Sequence, residues 1–188
     1  YGKSKLSVEK ILKTHNSSYN LDSISLRYFN VAGADFDSEI GESHDPETHI
    51  IPLALDVASG RKNLLQIYGN QYNTKDGFCI RDYVHVMDIA KAHLLAIEYL
   101  FNNSKTLEFF NLGTGKGYSV LEVISAVEKI TKKKVNYKIV SERKGDPAQL
   151  ITANGRANLT LKWKPGKTEI FDQIQDAWKW HKKHYRIK

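Results

Sequence analysis

Sulfur is scarce in this chain. Across 188 residues Cys79 is the only cysteine and Met87 the only methionine. A lone thiol excludes an internal disulfide framework and fits a reducing, cytoplasmic setting. The chain opens on Tyr1 within a helical pattern and not on methionine, so it reads as a fragment whose N-terminal part is missing. There is no signal-peptide pattern, and no apolar run reaches the ~20 residues of a membrane span. Internal repeats and low-complexity tracts are also lacking. The length suffices for a substantial core.

Acidic residues are outnumbered, 21 against 28 Lys and Arg, which leaves a net charge of +7. Such an excess raises nucleic acid as a partner. Its distribution argues against one. Lys132–Lys134 reads as the solvated end of a helix, and Lys179–Lys188 as the polar side of a terminal helix. Aromatics do not alternate with the basic residues as a base-stacking surface requires. An anionic small substrate better accounts for arginines at particular places.

What is present begins with Tyr1-Gly2-Lys3-Ser4-Lys5. Val8, Ile11, Leu12 and His15 follow at the spacing of one helical face. Tyr1 and Lys5 then lie one turn apart on the same side. A tyrosine titrates near about pH 10, and a neighbouring ammonium favours the phenolate, as a tyrosine acid/base needs. The same spacing also arises by chance on any helix.

Ser25–Val31 reads as a strand ending at Gly33, and 35–48 as a long polar loop. Pro52 suits the first turn of a helix ending at Gly60. Leu64–Tyr68 and Gly77–Val86 read as extended, followed by a helix from Asp88, its expected N-cap, to Phe101. Phe109–Leu112 runs into Gly113-Thr114-Gly115-Lys116-Gly117. This is no P-loop, and Tyr118 stands where a dinucleotide fingerprint needs glycine, so a tight structural turn is expected. Ser119 and Glu122 form a capping box. Val135–Val140 is a further strand, 143–147 a turn, and Thr168 the expected cap of a final helix with Ile170, Ile174, Ala177 and Trp178 inward. The alternation is α/β.

Five ordered stretches carry a resemblance: Tyr1–Leu6, Leu26–Asn30, Pro46–Pro52, Ile80–Asp88 and Phe110–Gly115. Together they resemble the UDP-glucose 4-epimerase family of extended short-chain dehydrogenases/reductases, from residue 1 to about 181. The resemblance implies the C-terminal portion of a Rossmann-like NAD(P)-binding fold plus a smaller α/β substrate-binding domain. Residues 1–34 and about 86–118 would belong to the NAD domain, and about 35–85 with 119–188 mainly to the substrate domain. It implies NAD as cofactor, a UDP-sugar as substrate and a homodimer for the full-length protein.

The resemblance also implies roles. Tyr1 is the acid/base, and Lys5 lowers its pKa and bonds the nicotinamide ribose. Phe29 lies beside the cofactor, and Asn30, His49 and Ile50 meet the nucleotide-sugar. Gln66, Ile67 and Tyr68 fall on the uracil-binding strand, with Tyr68 able to stack on the base. Arg81 and Arg143 clamp the pyrophosphate. Asp146 accepts ribose hydroxyls, and Leu150 faces the sugar 2-substituent, where leucine leaves more room for an N-acetyl group than tyrosine. Without the family, Phe29 and Tyr68 read as core, Arg81 as an ion-pair partner of Asp82, and His49, His85 and His93 as packing or capping groups. His181 and His184 lack a third ligand, so no metal is expected.

Two family features are missing, the glycine-rich pyrophosphate turn and the Ser/Thr beside the tyrosine, so the isolated chain is expected to be inactive. A dehydratase, a decarboxylase or a UDP-N-acetylglucosamine 4-epimerase of the same superfamily, or a non-catalytic remnant or nucleotide-sugar-binding module, would share most of these residues.

Overall fold

A computed structural model describes residues 1–187. Helix α1 (Gly2–Tyr19) stops at Asn20, which adopts φ 55°; its backbone N–H returns to the Asn16 carbonyl, and that of Leu21 to the His15 carbonyl. Asparagine tolerates that left-handed conformation better than most residues. Strand β1 (Ser23–Tyr28) pairs in parallel with β5 (Leu107–Leu112), from Ser23 beside Leu107 to Tyr28 beside Leu112.

The expected continuous strand over 25–31 is two strands. Phe29 still donates its N–H to the Leu112 carbonyl at 3.0 Å. One residue later β2 (Asn30–Ala32) leaves β5 and pairs with β4 (Ile80–His85). The change of partner at Phe29 breaks the strand.

Strand β4 is the hub. Besides β2 it takes β6 (Gly117–Ser119) antiparallel and β8 (Gln149–Leu150) parallel, with Arg81 level with Leu150. A separate parallel pair joins β3 (Leu65–Tyr68) to β7 (Tyr137–Val140). The remaining helices are α2 (Ile50–Ala58), α3 (Val86–Asn102), α4 (Val120–Thr131), α5 (Gly155–Leu161) and α6 (Ile170–Tyr185).

Two apolar cores result. One joins α2, α4 and α6 to β3 through Leu55, Ile67, Val127 and Ile174. The other joins α3 and β5 to α5 through Ala92, Phe110, Leu112, Leu161 and Trp163. The Trp163 indole N–H also donates to the Asp88 carbonyl at 2.8 Å, fixing the turn after α5 against α3. The short α5 has no counterpart in the sequence pattern.

Local signals fared unevenly. Both bonds of the Ser119/Glu122 capping box form at the start of α4. Helix α3 begins two residues before Asp88, because His85 is its N-cap and accepts the Met87 N–H at 3.1 Å. Asp88 instead accepts the backbone N–H groups of Gly166 and Lys167. Helix α6 starts after Glu169 without a side-chain cap, so Thr168 does not cap it.

Helix α1 departs most. None of its residues is buried, and Val8 and Ile11 remain 53% and 57% exposed. Its inward contacts are polar. Both Glu9 oxygens receive Arg27 at 2.6 Å, and the Asn16 amide donates to the carbonyls of Leu21 and Thr106. The Arg27 hydrogen bonds hold the Glu9 carboxyl below its ordinary range.

Candidate active site

A cavity of about 740 Å³ opens where β2, the loop 33–49 and the start of α2 meet. That volume lies within the range of small-molecule sites. Two close approaches shape the loop. Gly33 sits at φ 91° against the His85 ring, where a Cβ would come within 2.5 Å of two ring atoms. Gly41 lies against Trp180 of α6, and a Cβ there would fall 2.2 Å from the indole. Between them Ala34 bridges to Gly41, and Lys183 of α6 holds Glu39.

His85 is thus part of the cavity's foundation. Burial lowers the pKa of its imidazole, which stands 3.3 Å from Asp176. Burial of Asp176 works against its ionisation, but hydrogen bonds from Lys167 and Lys179 hold its pKa below the ordinary range.

Six of the expected site residues line the cavity: Tyr1, Phe29, Asn30, His49, Ile50 and Leu150. Tyr1 caps the start of α1 and is 95% exposed. The Lys5 ammonium lies 5.4 Å from the Tyr1 ring centre, so the two stay together on one helical face. Beneath the cavity Tyr83 is buried, which pushes its phenol well above the ordinary range while a bond with Asn30 opposes the rise.

The other candidates form a second patch, joined to the cavity through Leu150 beside Arg81. Arg81 is paired with Asp146, not with the adjacent Asp82, so the ion pair read from sequence neighbours does not form. The Arg143 guanidinium lies 4.1 Å from the centre of the Tyr68 ring. Strand β3 alternates, turning Gln66 and Tyr68 outward and Leu65 and Ile67 into the core. The Ile67 side chain is therefore a core group, and only its backbone can meet a ligand.

Asp82 has a role that sequence reasoning missed. Its fully buried carboxylate accepts Thr114 N–H at 2.8 Å, Thr114 hydroxyl at 2.7 Å, Gly115 N–H at 2.9 Å and Thr152 N–H at 3.1 Å. The glycine-rich turn is thus wrapped around the protein's own anion, which occupies the N–H groups a phosphate would use. Gly113 is required by that proximity, since a Cβ would fall 2.6 Å from both Asp82 and Thr152. Asn154 donates to the Gly113 carbonyl and ties the same knot.

The sequence reading also missed a group beside His49. Glu42 lies 2.5 Å from His49 Nδ1, and His44 and Glu47 complete a cluster with them. Burial raises the pKa of the Glu42 carboxyl, against the pull of His49. His93 bonds Tyr28 and the Ile89 carbonyl and is a structural residue.

A family model described as GDP-mannose 4,6 dehydratase matches residues 1–176. The chain belongs to that family. Within the GDP-mannose 4,6 dehydratase family, its relatives include the UDP-glucose 4-epimerases of Lacticaseibacillus casei, 47% identical over 98% of this chain, and of Halalkalibacterium halodurans, 45% identical over the same share. The chain spans 55% of the length of each.

Solved structures agree. A UDP-glucose 4-epimerase from Stenotrophomonas maltophila, with bound NAD and formylated UDP-arabinopyranose, is 38% identical with a TM-score of 0.91. One from Bifidobacterium longum, in complex with NAD+ and UDP, is 36% identical with a TM-score of 0.92. All of this chain is covered in both cases, and 56% of each neighbour. The fold is accordingly α/β, the C-terminal portion of the Rossmann-like fold of these structures.

Proposed function

We propose that this chain supplies the tyrosine acid/base and the nucleotide-sugar site of an NAD-dependent UDP-hexose 4-epimerase, interconverting UDP-galactose and UDP-glucose. The observation that carries the reading is the single cavity lined by Tyr1, Phe29, Asn30, His49, Ile50 and Leu150, with Arg81 alongside. The relatives' names favour epimerase over dehydratase or decarboxylase.

The residues present fit the cofactor, because Tyr1 and Phe29 line the same cavity and Lys5 stays beside Tyr1. Lys5, Tyr1 and Phe29 would hold NAD, which when bound supplies reversible hydride acceptance. The chain's own contribution is proton transfer and positioning. Tyr1 removes the proton of the sugar 4-hydroxyl as hydride leaves C4. It returns that proton after the 4-keto sugar has turned and hydride has come back to the other face. Arg81 and Arg143 take the pyrophosphate, Gln66, Ile67 and Tyr68 the uracil, and Asp146 the ribose.

The proposed domain division is 1–34 and about 86–118 on the cofactor side and about 35–85 and 119–188 mainly on the substrate side. The apolar cores cross it at Ala32, Val84 and α5, which packs with α3 and β5. We further propose a cytoplasmic homodimer for the complete protein, in keeping with the lone cysteine and the absence of any described helix long and apolar enough to cross a membrane.

Titrating the chain with UDP tests the binding half, and Arg143→Ala should weaken that binding. No UDP binding by a folded chain would overturn the reading. In a polypeptide of the relatives' length, Tyr1→Phe should abolish conversion. Tyr1 is 95% exposed here, so the 188 residues alone should show no turnover.

A further inference from the structure

We propose that Glu42, His44, Glu47 and His49 form a binding site for a divalent transition-metal ion of the zinc class. One ligand atom from each of these residues can be chosen so that all four lie within 4.8 Å of one another. His44 Nδ1 stands 3.4 Å from Glu42 Oε1 and 3.4 Å from Glu47 Oε2, the second a long hydrogen bond. Both separations are close to the edge of a tetrahedron with metal–ligand bonds of about 2.0 Å, which is about 3.3 Å. His49 Nδ1 lies 2.5 Å from Glu42 Oε1, a short hydrogen bond that must open for the ion to enter, and 3.6 Å from the other Glu47 oxygen, Oε1.

One carboxylate is held before any ion arrives. Glu47 Oε1 accepts the N–H groups of Thr48 and His49 at 2.7 and 2.8 Å, which orients Oε2 toward His44. Both acids are largely sheltered, with side chains 9% and 24% exposed, whereas the imidazoles are 53% and 62% exposed. Glu47 therefore fixes one side of the site, and its mouth is open. The two rings meet edge to face at 5.2 Å, with both Nδ1 atoms turned to the same carboxylates.

The donor set chooses the metal. Two imidazole nitrogens and two carboxylate oxygens suit zinc, whereas magnesium and calcium prefer oxygen throughout. A ligating carboxylate binds as the anion and a ligating imidazole through its neutral nitrogen, so an ion held by this set would have its charge offset by the two acids. Glu42, His44 and His49 also line the cavity, so a bound ion would present positive charge to an anionic occupant.

The test titrates the 188-residue chain with zinc chloride against a chromogenic chelator. Cobalt(II) follows as a spectroscopic probe and magnesium as a competitor. One zinc per chain is expected, with a cobalt band of tetrahedral type and no displacement by magnesium. His44→Ala should lower zinc affinity at least about tenfold. His44→Gln should do the same while keeping the loop polar, and circular dichroism confirms that both fold. His184→Ala, in α6, should leave binding unchanged. Equal zinc affinity for the parent and both His44 variants, an octahedral cobalt spectrum, or loss only with His184→Ala would overturn the assignment. The readout is metal binding, so it stands or falls separately from epimerase activity.

Discussion

Replacing Asp82 by asparagine is the sharpest test of how this molecule is tied together. The side chain keeps its size, yet one acceptor oxygen becomes a donor. With the oxygen at Oδ1 the Thr114 pair survives, and an NH2 group faces the N–H groups of Gly115 and Thr152. With the oxygen at Oδ2 those two bonds survive, the Thr114 hydroxyl can turn to accept from the NH2 group, and only the Thr114 N–H is left facing a donor. A hydrogen bond to a charged group contributes roughly 1.5–3 kcal/mol and one to a neutral group about 0.5–1.5, so one bond lost and three weakened by about 1 kcal/mol each amount to about 4–6 kcal/mol. Removing a buried charge offsets part of this, leaving an expected loss of about 3–4 kcal/mol. That is a large share of the roughly 5–15 kcal/mol that holds a domain together. Urea unfolding of the chain followed by circular dichroism measures it, with an unchanged m-value showing that the folded state is otherwise the same. A loss below about 1 kcal/mol would refute the reasoning, because it would mean that the turn is not held by this carboxylate.

Other outcomes follow from the same geometry. Burial lowers the His181 pKa to about 4, against a pull from Asp56. An unfolded histidine titrates near about 6.5, so this contribution is complete above that pH and is lost as pH falls towards 4, about 3 kcal/mol in all. His181→Phe should flatten that part of the stability–pH curve, and an unchanged slope would count against a buried neutral imidazole. Gly41→Ala drives a Cβ into Trp180 and should cost about 1–3 kcal/mol by thermal or urea unfolding. In a polypeptide of the relatives' length, Leu150→Tyr should depress turnover of UDP-N-acetylgalactosamine relative to UDP-galactose, and an unaltered ratio would remove Leu150 from the specificity wall.

The parts legible in the sequence were those decided within a few residues. The Ser119/Glu122 box needs only one turn of chain, and the alternation of apolar residues announced β3 and β5. Helix α1 was legible as a helix, while its contacts were not. Its apolar spacing marks one face, but Val8 and Ile11 on that face stay exposed, and its ties run through Glu9 to Arg27 and Asn16 to the Thr106 carbonyl. The motif residues were readable one by one, whereas their partners were not. Nothing near Arg81 in sequence points to Asp146, 65 positions away, and nothing near Asp82 points to Thr152, 70 positions away. Those pairings exist because β8 lies beside β4, a parallel register that no local spacing encodes. The helix start at His85 was missed for a related reason, since Asp88, the better local cap, is engaged by Gly166 and Lys167.

The bond between Arg81 and Asp146 has a consequence for how ligands are told apart. Each group satisfies the other. On the proposed roles, a ligand carrying only phosphate would claim the guanidinium and strand the carboxylate. One carrying only ribose hydroxyls would do the reverse. A nucleoside diphosphate engages both at once and leaves neither unpaired. Recognition is then a coincidence test, in which uridine and pyrophosphate together should bind far more weakly than the two joined in one molecule.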